Sequence, residues 1–236
     1  MFAQNVFIKY LSKKYPPVKP KTEGPFITIS REYGCFALDL AEKVRTKLDA
    51  GYPGDEEQPQ WSILSKEIMD RSAEELRTNP EKISHIFDGK KKSILDDWME
   101  SMNKDYYLPD RRIIDTIKRL MRSYAQEGNI IIVGRAGAVI TKDIENSLHI
   151  KLIAPFDFRV EKIKRKFHLS DFKAVEQVKM IDRKRNSFLE FFTKGKNELE
   201  FYDFVINCCK YKEDHLAELI VKLAEDKNII KKEIVF

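Results

Sequence analysis

The sequence predicts an α/β protein with a mostly parallel central sheet and helices on both of its faces. Short apolar runs rich in β-branched residues recur along the 236 residues, and segments with helical spacing separate them. Strands that alternate with helices favour parallel pairing, because each crossover helix brings the chain back to the same end of the sheet. The expected strands lie at 26–30, 61–64, 129–133, 149–153 and 203–206.

The first predicted unit is a strand, a turn and a helix. Residues 26–30 form a β-branched run, and apolar residues in 37–48 recur at close to helical spacing. The turn between them leads into a helix N-terminus, where free backbone donors and the helix dipole favour an anion. It is therefore a candidate phosphate site, although an ordinary solvated β-to-α connection has the same pattern. The candidate residues in this turn are Ser30, Arg31, Gly34 and Asp39.

The elements that follow are predicted from the same patterns. Residues 65–126 are mostly helical, with turn signals at Asn79-Pro80 and Asp88-Gly89. The apolar run 129–133 between two glycines indicates a strand buried on both faces, which we expect to be central. The remaining helices are expected from Pro155 to about 167, near Asp182, and over 215–225.

Residues 1–25 form a predicted N-terminal extension. The segment 1–15 is expected to be a short amphipathic helix without a signal-peptide cleavage site, and prolines make 15–25 an extended linker. The fold itself is predicted to occupy 26–236.

The composition excludes several classes of protein. No apolar run approaches the roughly 20 residues of a membrane span, so no membrane association is expected. Three cysteines and four histidines lack disulfide or metal-ligand spacing, which predicts no metal site and fits a reducing cytoplasm. With 43 basic and 38 acidic residues the charge is nearly balanced. Nucleic-acid binding is therefore disfavoured, although Trp61, Tyr106 and Tyr107 with nearby cations are typical of a stacking surface.

Several short strings occur in an order that resembles a known family. They are Ile-Thr-Ile-Ser-Arg-Glu-Tyr-Gly at 27–34, Gly-Arg-Ala-Gly-Ala at 134–138, His-Ile-Lys-Leu-Ile-Ala-Pro at 149–155, Asp-Arg-Lys-Arg at 182–185, Phe-Phe-Thr at 191–193 and Tyr-Asp-Phe-Val-Ile-Asn at 202–207. Together they resemble the cytidylate kinase-like family of P-loop nucleoside monophosphate kinases. The resemblance covers the chain from about residue 26 onward.

The resemblance implies a three-layer P-loop kinase-type sandwich that uses ATP and Mg²⁺ to phosphorylate a nucleoside monophosphate. The inserted helical region 65–126 would cover the acceptor, and a lid-like region 168–200 would supply catalytic arginines. It implies that Gly134 and Arg135 bind the substrate, and that Arg183 and Arg185 stabilise the transferring phosphoryl group. From the residues alone, Arg135 in a salt bridge and the two lid arginines on a solvated helix face are alternatives.

The inserted region offers further candidates for the acceptor phosphate, and the sequence does not choose among them. They are Asp70, Arg71, Asp110 and Arg111.

The first turn departs from a working phosphate loop, G-x-x-x-x-G-K-[ST], whose lysine binds the β- and γ-phosphates. The chain has Phe36 and Ala37 where the second glycine and the lysine belong, with Asp39 close behind. Two hypotheses stay open. The first is ATP-dependent transfer to a nucleoside monophosphate, with CMP among the acceptors. The second is a noncatalytic protein that binds a nucleotide, another phosphate-bearing small molecule or a partner, with the segment 1–11 packing on that partner or on a second copy in a homodimer.

Overall fold

A computed structural model describes residues 24–52, 60–65, 67–88 and 110–230. The strands of these residues are β1 Phe26–Arg31, β2 Ser62–Leu64, β3 Ile130–Val133, β4 Ser147–Ile153 and β5 Phe204–Asn207. The helices are α1 Ala37–Gly51, α2 Glu67–Glu75, α3 Pro80–Phe87, α4 Asp110–Glu127, α5 Gly137–Thr141, α6 Phe156–Phe167, α7 Asp171–Thr193 and α8 Glu213–Asp226. Short 3₁₀ helices, Glu198–Phe201 and Cys208–Lys210, flank β5.

The strands form one parallel sheet in the order β2-β3-β1-β4-β5. Thr28 in β1 lies opposite Ile132 in β3 and His149 in β4, which fixes the register of the three inner strands. The predicted α/β class is therefore confirmed. The expectation that β3 is central is corrected, because β1 occupies the middle of the sheet and β3 lies between β1 and β2.

Two apolar cores cover the two faces of the sheet, as alternation along parallel strands requires. Ile27 and Ile29 of β1 face a core that contains α1 and α8. Phe26 of β1 and Ile132 of β3 face the other core, which is built by α2 to α5 and the C-terminal half of α7. This layering leaves the carboxyl ends of the strands as the edge where loops meet.

The turn signal at Asn79-Pro80 marks the start of α3 in the inserted region. Pro80 is the first residue of α3 and Asn79 precedes it, because proline suits the first helical position, where no amide donor is needed. Helix α7 begins eleven residues earlier than predicted, at Asp171, where the Ser170 side chain accepts a hydrogen bond from the Lys173 amide. Asp182 therefore lies in the middle of a long helix and does not begin one.

Several predictions concern residues outside the described ranges, namely Tyr106, Tyr107 and the extension up to residue 23. Trp61 is described and is only 5% exposed, so it packs in the core and offers no stacking surface. No helix among the described residues combines the length and the apolar character needed to cross a bilayer.

Candidate functional site

A cavity of about 390 Å³ opens at the carboxyl edge of the sheet, where β1, β3 and β4 end beneath α7. Its walls carry both apolar and charged side chains. The lining residues are Ser30, Arg31, Glu32, Ser65, Phe87, Asp88, Gly134, Arg135, Ala136, Lys151, Ile181, Asp182, Lys184, Arg185, Asn186, Phe188, Leu189 and Glu198. Ligands of open α/β sheets bind at this edge, so the cavity is the candidate site.

The turn after β3 places Arg135 in this cavity. Gly134, Arg135 and Ala136 have φ values of 75°, 55° and 57°, and the Gly137 amide donates to the Gly134 carbonyl at 2.9 Å. Left-handed backbone costs a non-glycine residue roughly 1 to 2 kcal/mol, and such strain is concentrated at functional sites. The Arg135 guanidinium carbon lies 5.0 Å from the centre of the Phe87 ring.

Arg31 and Arg185 converge on the same turn. The Arg31 guanidinium lies against the backbone of Gly134, where a Cβ atom would overlap its Nη1. Arg185 Nη1 donates to the Arg31 carbonyl at 3.3 Å, and its guanidinium carbon lies 5.2 Å from the centre of the Tyr33 ring. A glycine at 134 therefore makes room for Arg31 beside Arg135.

Ion-pair contacts distinguish the three guanidinium groups from the two lysines of the cavity. Within the described ranges, no acidic side chain forms an ion pair with Arg31, Arg135 or Arg185, whereas the two cavity lysines are both paired. Lys151 pairs with Glu198, and Lys184 Nζ lies 3.0 Å from Asp88 Oδ1.

The pKa values of the three arginines show that burial disfavours their charged forms. Burial, followed by the charges of Arg185 and Arg135, lowers the pKa of Arg31 to about 9. Burial also lowers the pKa of Arg135 and of Arg185, with nearby carboxylates opposing the change in part. A buried cluster of cations is unfavourable until an anion neutralises it, so this arrangement fits a phosphate group.

The loop between β1 and α1 is held by acidic residues instead of being open to phosphate. The Tyr33 amide donates to Asp182 Oδ1 at 2.8 Å, and Arg159 Nη1 contacts Asp182 Oδ2 at 2.5 Å. Arg159 Nε also lies 3.3 Å from Glu32 Oε2, and that same oxygen accepts from the Ala154 amide at 3.0 Å. The Arg159 guanidinium therefore joins β1, β4, α6 and α7 at this edge.

The glycine and the bulky residue of this loop are also in use. A Cβ atom on Gly34 would lie 2.9 Å from Arg159 Cβ, so the loop packs directly on α6. Phe36 precedes α1 with φ 40°, and Lys166 Nζ lies 4.1 Å from the centre of its ring. Asp39 is exposed and pairs with Lys166 at 3.4 Å. With no lysine at 37 and these contacts in place, the residues do not fit Mg²⁺-ATP in the manner of a phosphate loop.

The structure brings together only part of the predicted site. Five of the predicted residues line the cavity, and three lie elsewhere: Ser30, Arg31, Gly134, Arg135 and Arg185 inside; Gly34, Asp39 and Arg183 outside. Arg183 is exposed, and its Nε donates to the Lys179 carbonyl at 3.3 Å. The roles of these residues in binding and catalysis stay predictions.

The candidates from the inserted region lie away from the cavity. Arg71 pairs with Glu74 at 3.4 Å, and the Arg111 side chain is 94% exposed. Asp70 is exposed, and Asp110 lies 2.8 Å from the His85 ring.

Sequence reasoning missed Arg159 and Phe87. The position of Arg159 could have indicated its role, since it lies on the first turn of a helix that follows a strand end, four residues after Pro155. The position of Phe87 depends on how α3 packs against α7, where its ring stacks on Phe188 with centroids 5.4 Å apart. No local pattern shows that contact.

Comparison with known proteins identifies the family of the chain. The model of the cytidylate kinase-like family matches residues 26–210. A cytidylate kinase of Sulfolobus acidocaldarius is 26% identical over 132 residues, which cover 56% of this chain and 70% of that protein. A uronate isomerase of Corynebacterium glutamicum is 35% identical over 95 residues, but the match covers 39% of this chain and only 18% of that protein.

One solved structure shares the fold. It is that of an uncharacterized protein from Eubacterium ventriosum, with a TM-score of 0.57 and 20% identity. The alignment covers 85% of this chain and 98% of that one.

Proposed function

Because the chain belongs to the cytidylate kinase-like family, we propose that its arginine-lined cavity binds the phosphate of a nucleoside monophosphate. The observation that carries the proposal is the convergence of Arg31, Arg135 and Arg185 without acidic partners in the described residues. A monophosphate supplies the missing negative charge in a compact form. Planar guanidinium groups suit it, since each donates two parallel hydrogen bonds to phosphate oxygens.

Each arginine has its own part in this binding. Arg135 projects from a turn with left-handed backbone and is the anchor of the phosphate. Arg31 and Arg185 approach it from β1 and α7, so the ligand joins the sheet to the lid-like helix. The walls formed by Phe87, Phe188 and Leu189 are apolar and suit the base or sugar of a nucleotide.

Two candidate functions use this site. In the first, the bound monophosphate accepts a phosphoryl group from ATP, as the family implies, and CMP is the first acceptor to test because the curated Sulfolobus relative is a cytidylate kinase. In the second, the protein binds the nucleotide without transfer. The contacts that Tyr33 and Gly34 of the β1–α1 loop make with Asp182 and Arg159 favour the second candidate, since they occupy the region where a donor triphosphate would lie.

Titration calorimetry tests the binding proposal. Nucleoside 5′-monophosphates, beginning with CMP, are titrated into the protein beside the corresponding nucleosides. We expect the monophosphates alone to bind, and we expect Arg135→Gln to weaken binding about 10- to 100-fold, since a charge-assisted contact contributes about 1.5 to 3 kcal/mol. Arg165→Gln is the matched control, because Arg165 is exposed on α6 and pairs with Glu161. Equal binding of nucleosides and monophosphates would overturn the proposal.

A second assay separates the two candidates. The same monophosphates are incubated with Mg²⁺-ATP, and formation of the diphosphate is followed by chromatography. Diphosphate that disappears in Arg135→Gln supports phosphoryl transfer. Monophosphate binding without diphosphate formation supports the noncatalytic candidate.

A further inference from the structure

A pocket of about 500 Å³ lies between α4, α5 and the C-terminal end of α7, and we call it the lysine pocket. Among the described residues, it shares no lining residue with the arginine cavity. The buried part of its lining is largely apolar and comes from three elements: Val139 and Ile140 of α5, Phe192 of α7, and Phe201 of the 3₁₀ helix before β5. Pockets of about 300 to 1,000 Å³ with a mainly apolar lining are typical of small-molecule sites.

The rest of the lining is strongly basic. Five described side chains are basic and one is acidic, and the basic residues are Lys118, Arg122, Lys142, Lys194 and Lys196. The acidic residue is Asp143, whose Oδ1 lies 2.6 Å from Arg122 Nη1. Lys118 Nζ lies 3.9 Å from Oδ1 of Asp115, which is outside the lining. The other three lysines are exposed and form no ion pair in the part of the chain that the structure describes, so the pocket attracts anions.

Helix dipoles explain only part of this charge. Lys142 follows α5 and Lys194 follows α7, where the negative end of a helix favours a cation. Lys118 and Arg122 lie within α4, four residues apart and therefore on one face of that helix. Cations from three separate helices thus surround one opening.

Two of these cations lie over the aromatic rings of the pocket. Lys118 Nζ is 5.8 Å from the centre of the Phe192 ring, and Lys142 Nζ is 5.4 Å from the centre of the Phe201 ring. An anion bound by these ammonium groups therefore lies beside apolar surface. Inorganic phosphate would leave that surface in water, whereas an apolar group attached to the anion would cover it.

We propose that the lysine pocket binds a small organic anion, in which a phosphate or carboxylate group is carried on an aromatic or aliphatic body. The ammonium groups hold the anionic group as point charges, and the body packs on Val139, Phe192 and Phe201. A small molecule fits better than an extended polyanion. The reason is that the two rings are each only 7% exposed, so a polyanion would contact the exposed lysines and little of the apolar lining. The proposal does not depend on the function proposed for the arginine cavity.

Titration calorimetry with three probes tests the proposal on the full chain. Naphthyl phosphate has an anionic group and an apolar body, naphthol has the body alone, and inorganic phosphate has the charge alone. We expect naphthyl phosphate to bind at least about tenfold more tightly than either of the others, because it alone uses both the charge and the apolar surface of the pocket. Equally tight binding of phosphate or of naphthol would overturn the proposal, and so would the absence of naphthyl phosphate binding at millimolar concentration.

Variants assign the site. The double variant Lys142→Gln, Lys194→Gln should bind naphthyl phosphate about tenfold more weakly, because two charge-assisted contacts are lost at exposed positions. Lys173→Gln is the matched control, since Lys173 is exposed on α7 and lines neither site. Binding that is lost in Arg135→Gln and kept in the double variant would place the probe in the arginine cavity and overturn the proposal. A single-stranded oligonucleotide that binds through the same two lysines more tightly than naphthyl phosphate would identify a polyanion surface and would also overturn it.

Discussion

Replacing Arg31 with methionine removes one of the three cavity cations and keeps an unbranched side chain of similar reach. In the ligand-free protein we expect Arg31→Met to be more stable than the wild type. The physical reason is that a largely buried cation without an ion pair in the described residues is lost, together with its repulsion from Arg185 and Arg135. The same substitution removes a phosphate contact, so stability and binding change in opposite directions.

The size of the gain follows from the pKa of Arg31. Its decrease from the ordinary arginine value to about 9 corresponds to about 5 kcal/mol at roughly 1.4 kcal/mol per pKa unit. That value is an upper limit, because side-chain relaxation and water penetration reduce the penalty of a buried charge. We therefore expect the free energy of unfolding to rise by about 1 to 3 kcal/mol.

Urea unfolding measured with and without ligand tests both parts. A monophosphate at about 100 times its dissociation constant adds about 2.7 kcal/mol to the wild type. If Arg31→Met weakens binding about 100-fold, the same concentration adds only about 0.4 kcal/mol to the variant. Arg165→Met is the matched control, because its exposed ion pair with Glu161 contributes at most about 1 kcal/mol and lies outside the cavity. The reasoning is refuted if the ligand-free variant is less stable than the wild type, or if ligand stabilises both proteins equally.

Three other substitutions have expected outcomes. Gly134→Ala should lower the free energy of unfolding by about 1 to 2 kcal/mol, because residue 134 has left-handed backbone, and its Cβ should displace Arg31. Calorimetry should therefore show weaker monophosphate binding, and the loss of stability in urea unfolding should be smaller in an Arg31→Ala background. Burial lowers the pKa of His149 to about 4, against 6.5 in the unfolded chain, so the unfolded state binds the proton first as the pH falls. The free energy of unfolding should therefore decrease by about 2.5 kcal/mol from pH 8 to pH 4.5. His149→Gln should remove most of that decrease in urea titrations at the two pH values. Asp182→Asn should cost about 1 to 3 kcal/mol in urea unfolding, because it leaves the buried Arg159 with weaker compensation, and an unchanged midpoint would contradict the role given to this carboxylate.

The sequence predicted those structural features that depend on residues close to one another in the chain. Glycines on either side of 129–133 and the apolar run between them predicted β3 almost to the residue. The order of the strands was not local information, because burial on both faces does not distinguish the middle strand from its neighbour. The start of α7 was misplaced because the prediction began the helix near Asp182 and did not use Ser170, whose side chain caps it.

The same distinction between local and non-local information applies to the residues of the candidate site. Arg31 and Arg135 were predictable because each stands directly at the end of a strand in a parallel sheet, so both point to one edge. The contact between Arg159 and Asp182 was not predictable, because it depends on how α6 and α7 pack together.

The contacts of the β1–α1 loop bear on the absence of a lysine at position 37. A phosphate loop concentrates positive charge and free amides at the start of its helix. In this loop, by contrast, the Tyr33 amide donates a hydrogen bond to Asp182, and the Glu32 carboxylate pairs with Arg159. The arginines without an ion pair in the described residues line the cavity instead, namely Arg31, Arg135 and Arg185. An anion is therefore attracted to the cavity and finds few free partners in the loop. This distribution of charge favours binding of a single phosphate-bearing ligand over the simultaneous binding of donor and acceptor that phosphoryl transfer requires.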